Sequence, residues 1–356
     1  MSERVRIIDI AKGITIVGVA FTHSHLRGFS PGLNHLLALF RMPLFFFLSG
    51  IFFNEVIDLR NFVLSKTDSL LKPYFVTLGA LLLIDIMLGR QFIWGLKGTL
   101  YGTGETIRAW ALPLWFLPHL WVLFIFSYLI FSISKIQNKP CYLKVLLVFL
   151  LLTAGAAILN KFWHSPININ GRIVMLPGLP FSVDLVFISA AYFISGRFLR
   201  EHVKSFKPKL PFVFLALSSF ILIAILTSAE IDLNSRIYHQ PLAATIAAYL
   251  GIYLILSLAY FFNQLTLSAR VICYAGEASL FILIFHLFFE RQVHSILSHW
   301  KLFNQDLCVS ILSFVCCLTM PLVIRAIVIR SDFLALFYLP LKSRNLPRGG
   351  KYRMRK

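Results

Sequence analysis

Ten runs of about twenty predominantly apolar residues, separated by short polar segments, leave this chain little choice of fold, because runs of that length match the hydrocarbon thickness of a bilayer. They fall at residues 7–26, 36–57, 73–89, 111–133, 142–160, 181–198, 211–227, 241–262, 271–290 and 307–329. A backbone inside lipid must satisfy its own N–H and C=O groups, so each run is predicted to be an α-helix. The expected fold class is an all-α integral membrane protein with about ten transmembrane helices, residues 1–341 forming the polytopic domain and 342–356 a basic tail. The run 73–89 is short, and 333–341 is too short to span and is expected to lie at the interface.

Composition agrees: 58% of residues are hydrophobic and 14% charged, with a mean hydropathy of +0.79, against the roughly 25% charged share of soluble domains. Arg4 and Arg6 precede an apolar run as in a signal peptide, yet that run carries Asp9 and Lys12 and ends without a small-x-small cleavage site. It reads as a retained first span. The five cysteines show neither CxxC nor Cys/His ligand spacing, so no metal site or disulfide framework is indicated.

The net charge of +19 is a topology signal rather than a nucleic-acid signal. Ten spans place both termini on one side. Segments on that side hold 24 of the 34 Lys and Arg residues, the opposite loops hold 9, and Arg41 lies inside a span. By the positive-inside rule both termini are cytoplasmic, and the tail from Lys342 to Lys356 is also suited to anionic lipid.

Ionisable residues inside spans are costly and point to function, to a polar pair or to a translocation path. With the first helix rising from the cytoplasm at 1.5 Å per residue, His23 stands about 25 Å above Arg6, near the outer interface. Arg41 enters the second span at that depth, and His286 and Glu290 reach it on the ninth. Trp115 and Asp184 begin descending spans there, with His25 just beyond His23. Imidazole, guanidinium and carboxylate in one layer are the inventory for base-assisted attack by a hydroxyl and for oxyanion stabilisation. Depth alone does not make them neighbours: His23 can serve a carbonyl, Arg41 can snorkel, and His286 and Glu290, four apart, can pair with each other. Phe47-Leu-Ser49-Gly50 and Phe193-Ile-Ser195-Gly196 echo each other in two spans that run the same way, a pattern of close helix packing.

The motifs resemble those of the membrane acyltransferase-3 family, bacterial O-acyltransferases that modify surface polysaccharides, lipid-linked glycans and nodulation factors. They are Arg6-Ile-Ile-Asp9-Ile-Ala-Lys12-Gly13 with His23 beyond it, Arg41-Met-Pro43-Leu-Phe-Phe-Phe-Leu-Ser49-Gly50, Lys72-Pro73-Tyr74, Leu114-Trp115-Phe116-Leu117-Pro118, and Gly276-Glu-Ala-Ser279-Leu280 with His286. The resemblance covers nearly the whole chain. It implies about ten spans, a catalytic role for His23, an acyl-CoA donor offered from the cytoplasm, and an acceptor hydroxyl on the outer side of a bacterial inner membrane. Where the family carries a basic pair spaced Arg-x-x-Arg after the second span, this sequence reads Lys66-Thr-Asp-Ser69-Leu-Leu-Lys72.

The expectation is an O-acyltransferase, acetyl-CoA being the commonest donor of the family, acting on a glycan or lipid-linked sugar without a metal. His23 is the expected base or acyl relay. Arg41 is expected to hold the oxyanion or an acidic sugar, and His286 with Glu290 to orient the acceptor. Trp115, Asp184 and His25 are placed beside the acceptor. Lys12, Arg60, Lys66 and Lys72 at the cytoplasmic mouth are expected to attract the CoA phosphates. The competing class is a transporter or flippase lined by the same charges; it predicts Gly/Pro-broken spans in paired halves, which the later spans do not show.

Overall fold

The structure, a computed structural model, describes residues 6–54, 58–90, 92–169, 171–299 and 306–341. It is almost entirely helical, and eight helical segments are long and apolar enough to cross a membrane. Two further segments of the sequence fall just outside that set. Helix α1 (Arg6–His23) carries Arg6, Asp9 and Lys12, and α11 (Leu210–Leu226) has 17 residues.

The second span begins earlier than its apolar run, at Pro31, and breaks at Leu39 and Phe40 between α2 (Pro31–Ala38) and α3 (Arg41–Ile51). Arg41 therefore opens a helix rather than sitting within one. The short third run proves to be the end of a longer helix. Helix α4 (Leu59–Lys66) continues through a π-helical turn, Thr67–Leu71, into α5 (Lys72–Met87), giving 29 residues. Its polar first half hid it from hydropathy. The wide turn is held by Trp121 Nε1, which donates to Thr67 Oγ1 at 3.0 Å.

A short helix α6 (Phe92–Tyr101) precedes α7 (Phe116–Ser134), α8 (Cys141–Ile158) and a hairpin of β1 (Trp163–Ile169) and β2 (Arg172–Pro177). Then come α9 (Val186–Phe198), α10 (Arg200–Lys204), α11, and a second hairpin of β3 (Glu230–Asp232) and β4 (Ile237–His239). Helix α12 (Pro241–Asn263) follows. The ninth run is divided at Ala278 into α13 (Thr266–Glu277) and α14 (Ser279–His299), before α15 (Asp306–Arg330) and α16 (Asp332–Tyr338).

Helix α9 is the hub of the bundle, while α8 and α11 present exposed Leu, Ile and Phe outward, as lipid-facing helices do. Lipid gives apolar side chains no reason to leave it, so association rests on close packing at small residues. The echoed motifs show this reciprocally: a Cβ on Gly50 would strike the Phe193 carbonyl, and one on Gly196 the Phe47 carbonyl. The same exchange joins α1 to α13, where Gly13 abuts the Ile272 carbonyl and Gly276 the Asp9 carbonyl. These contacts hold α3 against α9 and α1 against α13 at backbone distance.

Residues 333–341, too short to span, are tied to the bundle. Lys72 Nζ donates to the Leu339 carbonyl at 2.7 Å and Leu341 N–H to Asp68 Oδ2 at 2.7 Å, which straps α16 to the foot of α5. The basic tail, 342–356, lies outside the described residues.

Candidate functional site

Helix α1 stops at His23 because Ser24 turns extended (φ −88°, ψ 164°) and returns its N–H and hydroxyl to the Phe21 carbonyl, at 3.0 and 2.8 Å. A 3-10 turn, His25–Phe29, then doubles back. Glu290 pins that turn: its Oε1 accepts the His25 backbone N–H at 2.8 Å and lies 2.7 Å from His25 Nδ1. The His23 ring is left half-buried, with Nδ1 3.0 Å from His286 Nε2.

His23 borders a cavity of about 310 Å³. Arg41 enters it from the break before α3, and Trp115 from a 3-10 turn, Leu112–Trp115, ahead of α7. Arg27, Asn34, Glu230, Asp232 and Asn234 complete its polar wall, and Val19, Met42, Phe45, Phe116 and Leu283 its apolar floor. Two guanidinium groups thus face two carboxylates. Asp232 is committed to its own hairpin, accepting the Asn234 N–H at 3.1 Å and the Ser235 hydroxyl at 2.9 Å. Neither the Arg41 guanidinium nor the Glu230 carboxylate forms a hydrogen bond or ion pair with the described residues. The Oδ1 atoms of Asn34 and Asn234 are buried acceptors with no partner among those residues. A base, two guanidinium groups and two carboxylates around one space can deprotonate a hydroxyl, stabilise an oxyanion and hold a polar substrate.

A family model described as an acyltransferase domain matches residues 5–326. The chain belongs to the acyltransferase-3 family. No curated protein and no solved structure matches it significantly. The molecule is therefore a multi-pass membrane acyltransferase, with nearly its whole helical bundle inside the family's boundaries.

Within this acyltransferase, the site residues expected from sequence divide into three groups. His23, Arg41 and Trp115 meet at the cavity. His286, Glu290 and His25 form a layer behind it, His286 touching His23 and Glu290 holding His25; none of the three lines the cavity. The remainder lie elsewhere. Asp184, placed beside the acceptor by depth alone, is instead locked to Arg236: Oδ2 accepts Nε at 2.8 Å and Oδ1 accepts Nη2 at 3.2 Å, with both side chains fully buried. Lys12 lies over the Phe52 ring, 3.9 Å from its centroid, and Lys66 over Phe124, at 3.7 Å. Lys72 bonds Asp68 and the Leu339 carbonyl, and Arg60 is exposed. None of these four cations lines the cavity.

Arg27, Asn34, Glu230, Asp232 and Asn234 were not singled out in the sequence. A signal existed for two of them, since Glu230-Ile-Asp232 places a close carboxylate pair in a loop of a chain with only 15 acidic residues. The ligand spacing of a metal site is absent from the sequence, yet folding brings donor atoms of Asp9, Cys273 and Glu277 within 4.8 Å of one another. Arg325 is 3.4 Å from Glu277 there and compensates part of that charge.

Proposed function

We propose that this protein is an O-acyltransferase that moves an acyl group, acetyl as the first choice, from acyl-CoA at the cytoplasmic face to a hydroxyl of a surface or lipid-linked glycan. It would work in a bacterial inner membrane, with both termini cytoplasmic as the basic residues require. The observation that carries this is the cavity that His23 and Arg41 share with Trp115, Glu230, Asn34 and Asn234.

His23 takes the hydroxyl proton as the acceptor oxygen attacks the thioester carbonyl. Arg41, which makes no hydrogen bond or ion pair with the described residues, receives the oxyanion. The C–S bond then breaks, the ester remains on the acceptor, and the proton held by His23 neutralises the departing thiolate. A sugar offers a hydrophobic face to Trp115 and O–H donors to Glu230, whose carboxylate accepts. A cavity of about 310 Å³ holds a sugar ring and the reacting end of the donor, so the nucleotide portion of CoA stays outside it. Lys12 lies eleven residues before His23 on the same helix, about 16 Å along its axis, and with Arg60, Lys66 and Lys72 would receive the phosphates. The pantetheine arm would cover that interval.

The experiment is mass spectrometry of surface glycans from cells with and without the chain. An acyl mass present only with the chain is the expected result. Identical glycans in both, with the protein expressed and folded, would overturn the assignment.

A further inference from the structure

His286 is the most enclosed ionisable group at the site, fully buried and absent from the cavity wall, so it reaches no acceptor sugar. Its hydrogen bonds nonetheless determine the state of the residue that does. The Nδ1 atom lies 2.7 Å from the Ile282 carbonyl and 3.2 Å from that of Leu283. Carbonyl oxygens only accept, so Nδ1 carries the proton. A neutral imidazole protonated there has a bare lone pair at Nε2. That lone pair is 3.0 Å from His23 Nδ1, which can satisfy it only by donating.

We propose that His286 is a positioning residue that fixes His23 as its Nδ1–H tautomer, leaving Nε2 as the basic atom. One backbone turn of α14 thereby sets the protonation pattern of the last residue of α1. This arrangement has the logic of a carboxylate behind a catalytic histidine, where an acceptor holds the ring and selects its tautomer. Here the acceptor is neutral, which avoids the cost of an uncompensated charge against His23. When His23 receives a proton at Nε2, its Nδ1–H remains aimed at an acceptor, and the bond becomes charge-assisted. Glu290 takes no part in that bond. Its Oε1 serves His25, so it steadies the backbone on which His23 sits while His286 steadies the ring.

The inference rests on the proposed acyl transfer only for its catalytic consequence, and the two are separable. The test is nitrogen NMR of protein labelled with 15N at histidine in lipid nanodiscs, with H23A spectra subtracted to isolate His23. H286Q and H286N are compared with the parent. Gln places an acceptor oxygen where Nε2 stood; Asn satisfies the Ile282 carbonyl but is too short to reach His23, and both keep a polar side chain of similar bulk. The parent and H286Q are expected to show a protonated Nδ1 and a bare Nε2 on His23. H286N is expected to show mixed tautomers and a fall of tenfold or more in acetyl transfer from acetyl-CoA. A bare Nδ1 on His23 in the parent, or an unchanged tautomer in H286N, would overturn the inference. The expected tautomers in a protein that leaves acetyl-CoA unused would support it while counting against the proposed donor.

Discussion

The Asp184–Arg236 lock offers the cleanest energetic test of how the cavity is held open. Arg236 donates to both oxygens of Asp184, at 2.8 and 3.2 Å, and to the Asn234 carbonyl at 2.8 Å, while its guanidinium lies 4.3 Å from the Trp163 ring centroid. Arg236→Met removes all of this and leaves a fully buried carboxylate with the Leu179 N–H as its remaining hydrogen-bond donor among the described residues, at 3.0 Å. Stranding one member of a buried pair costs about 3–5 kcal/mol. Replacing both members by apolar side chains is far cheaper, because neither charge is then stranded, although the Leu179 amide loses its acceptor at a cost of about 1–3 kcal/mol. The double variant Asp184→Leu, Arg236→Met should therefore be more stable than Arg236→Met alone. Equilibrium unfolding in mixed micelles, titrating SDS into a mild detergent, measures all four members of the cycle. A loss below about 1 kcal/mol for Arg236→Met, or a double variant as unstable as the sum of the singles, would refute the reasoning.

Glu230→Gln and Trp115→Ala should raise the KM for the acceptor glycan about tenfold, near 1.4 kcal/mol, while leaving the KM for acyl-CoA unchanged; steady-state kinetics with each substrate varied in turn decides this. Gly50→Val should cost about 1–3 kcal/mol through overpacking against the Phe193 carbonyl, read by the same micelle titration, whereas Gly32→Val, with open space around it, should cost far less. In a cysteine-free background, Cys introduced at Gly28 should react with an impermeant maleimide from outside intact cells and Cys at Arg60 only after permeabilisation; the reverse pattern would invert the proposed topology.

Apolar runs made the fold class legible, because a bilayer leaves one solution for a run of about twenty apolar residues. The breaks were not legible. Nothing in the hydropathy of residues 36–57 marks the interruption at Leu39 and Phe40 that turns Arg41 into the cavity, and α4 is polar enough to pass for a loop. Two residues of the cavity wall, His23 and Arg41, stood out in the sequence, since charge inside lipid is conspicuous. Its loop members did not. Glu230 and Asn234 sit on a hairpin that Arg236 ties to Asp184 and Tyr238 ties to Tyr192, and pairings across 52 and 46 positions leave no periodic trace. Asp184 misled for the same reason: its depth was inferred from span geometry, but a buried carboxylate takes the nearest guanidinium. The glycine-bearing motifs were read correctly as packing, and the reciprocal approach of Gly50 and Gly196 gives that reading its geometry.

The central claim is that His23 supplies general-base catalysis from the cavity it shares with Arg41. Transfer of label from radiolabelled acetyl-CoA to glycan extracted from cells lacking the chain, catalysed by parent and His23→Ala protein in nanodiscs, tests it most directly. General-base catalysis contributes about 10²–10⁴-fold, so His23→Ala should retain less than about one part in a hundred of the parental rate with unchanged folding. Undiminished transfer by that variant would contradict the account.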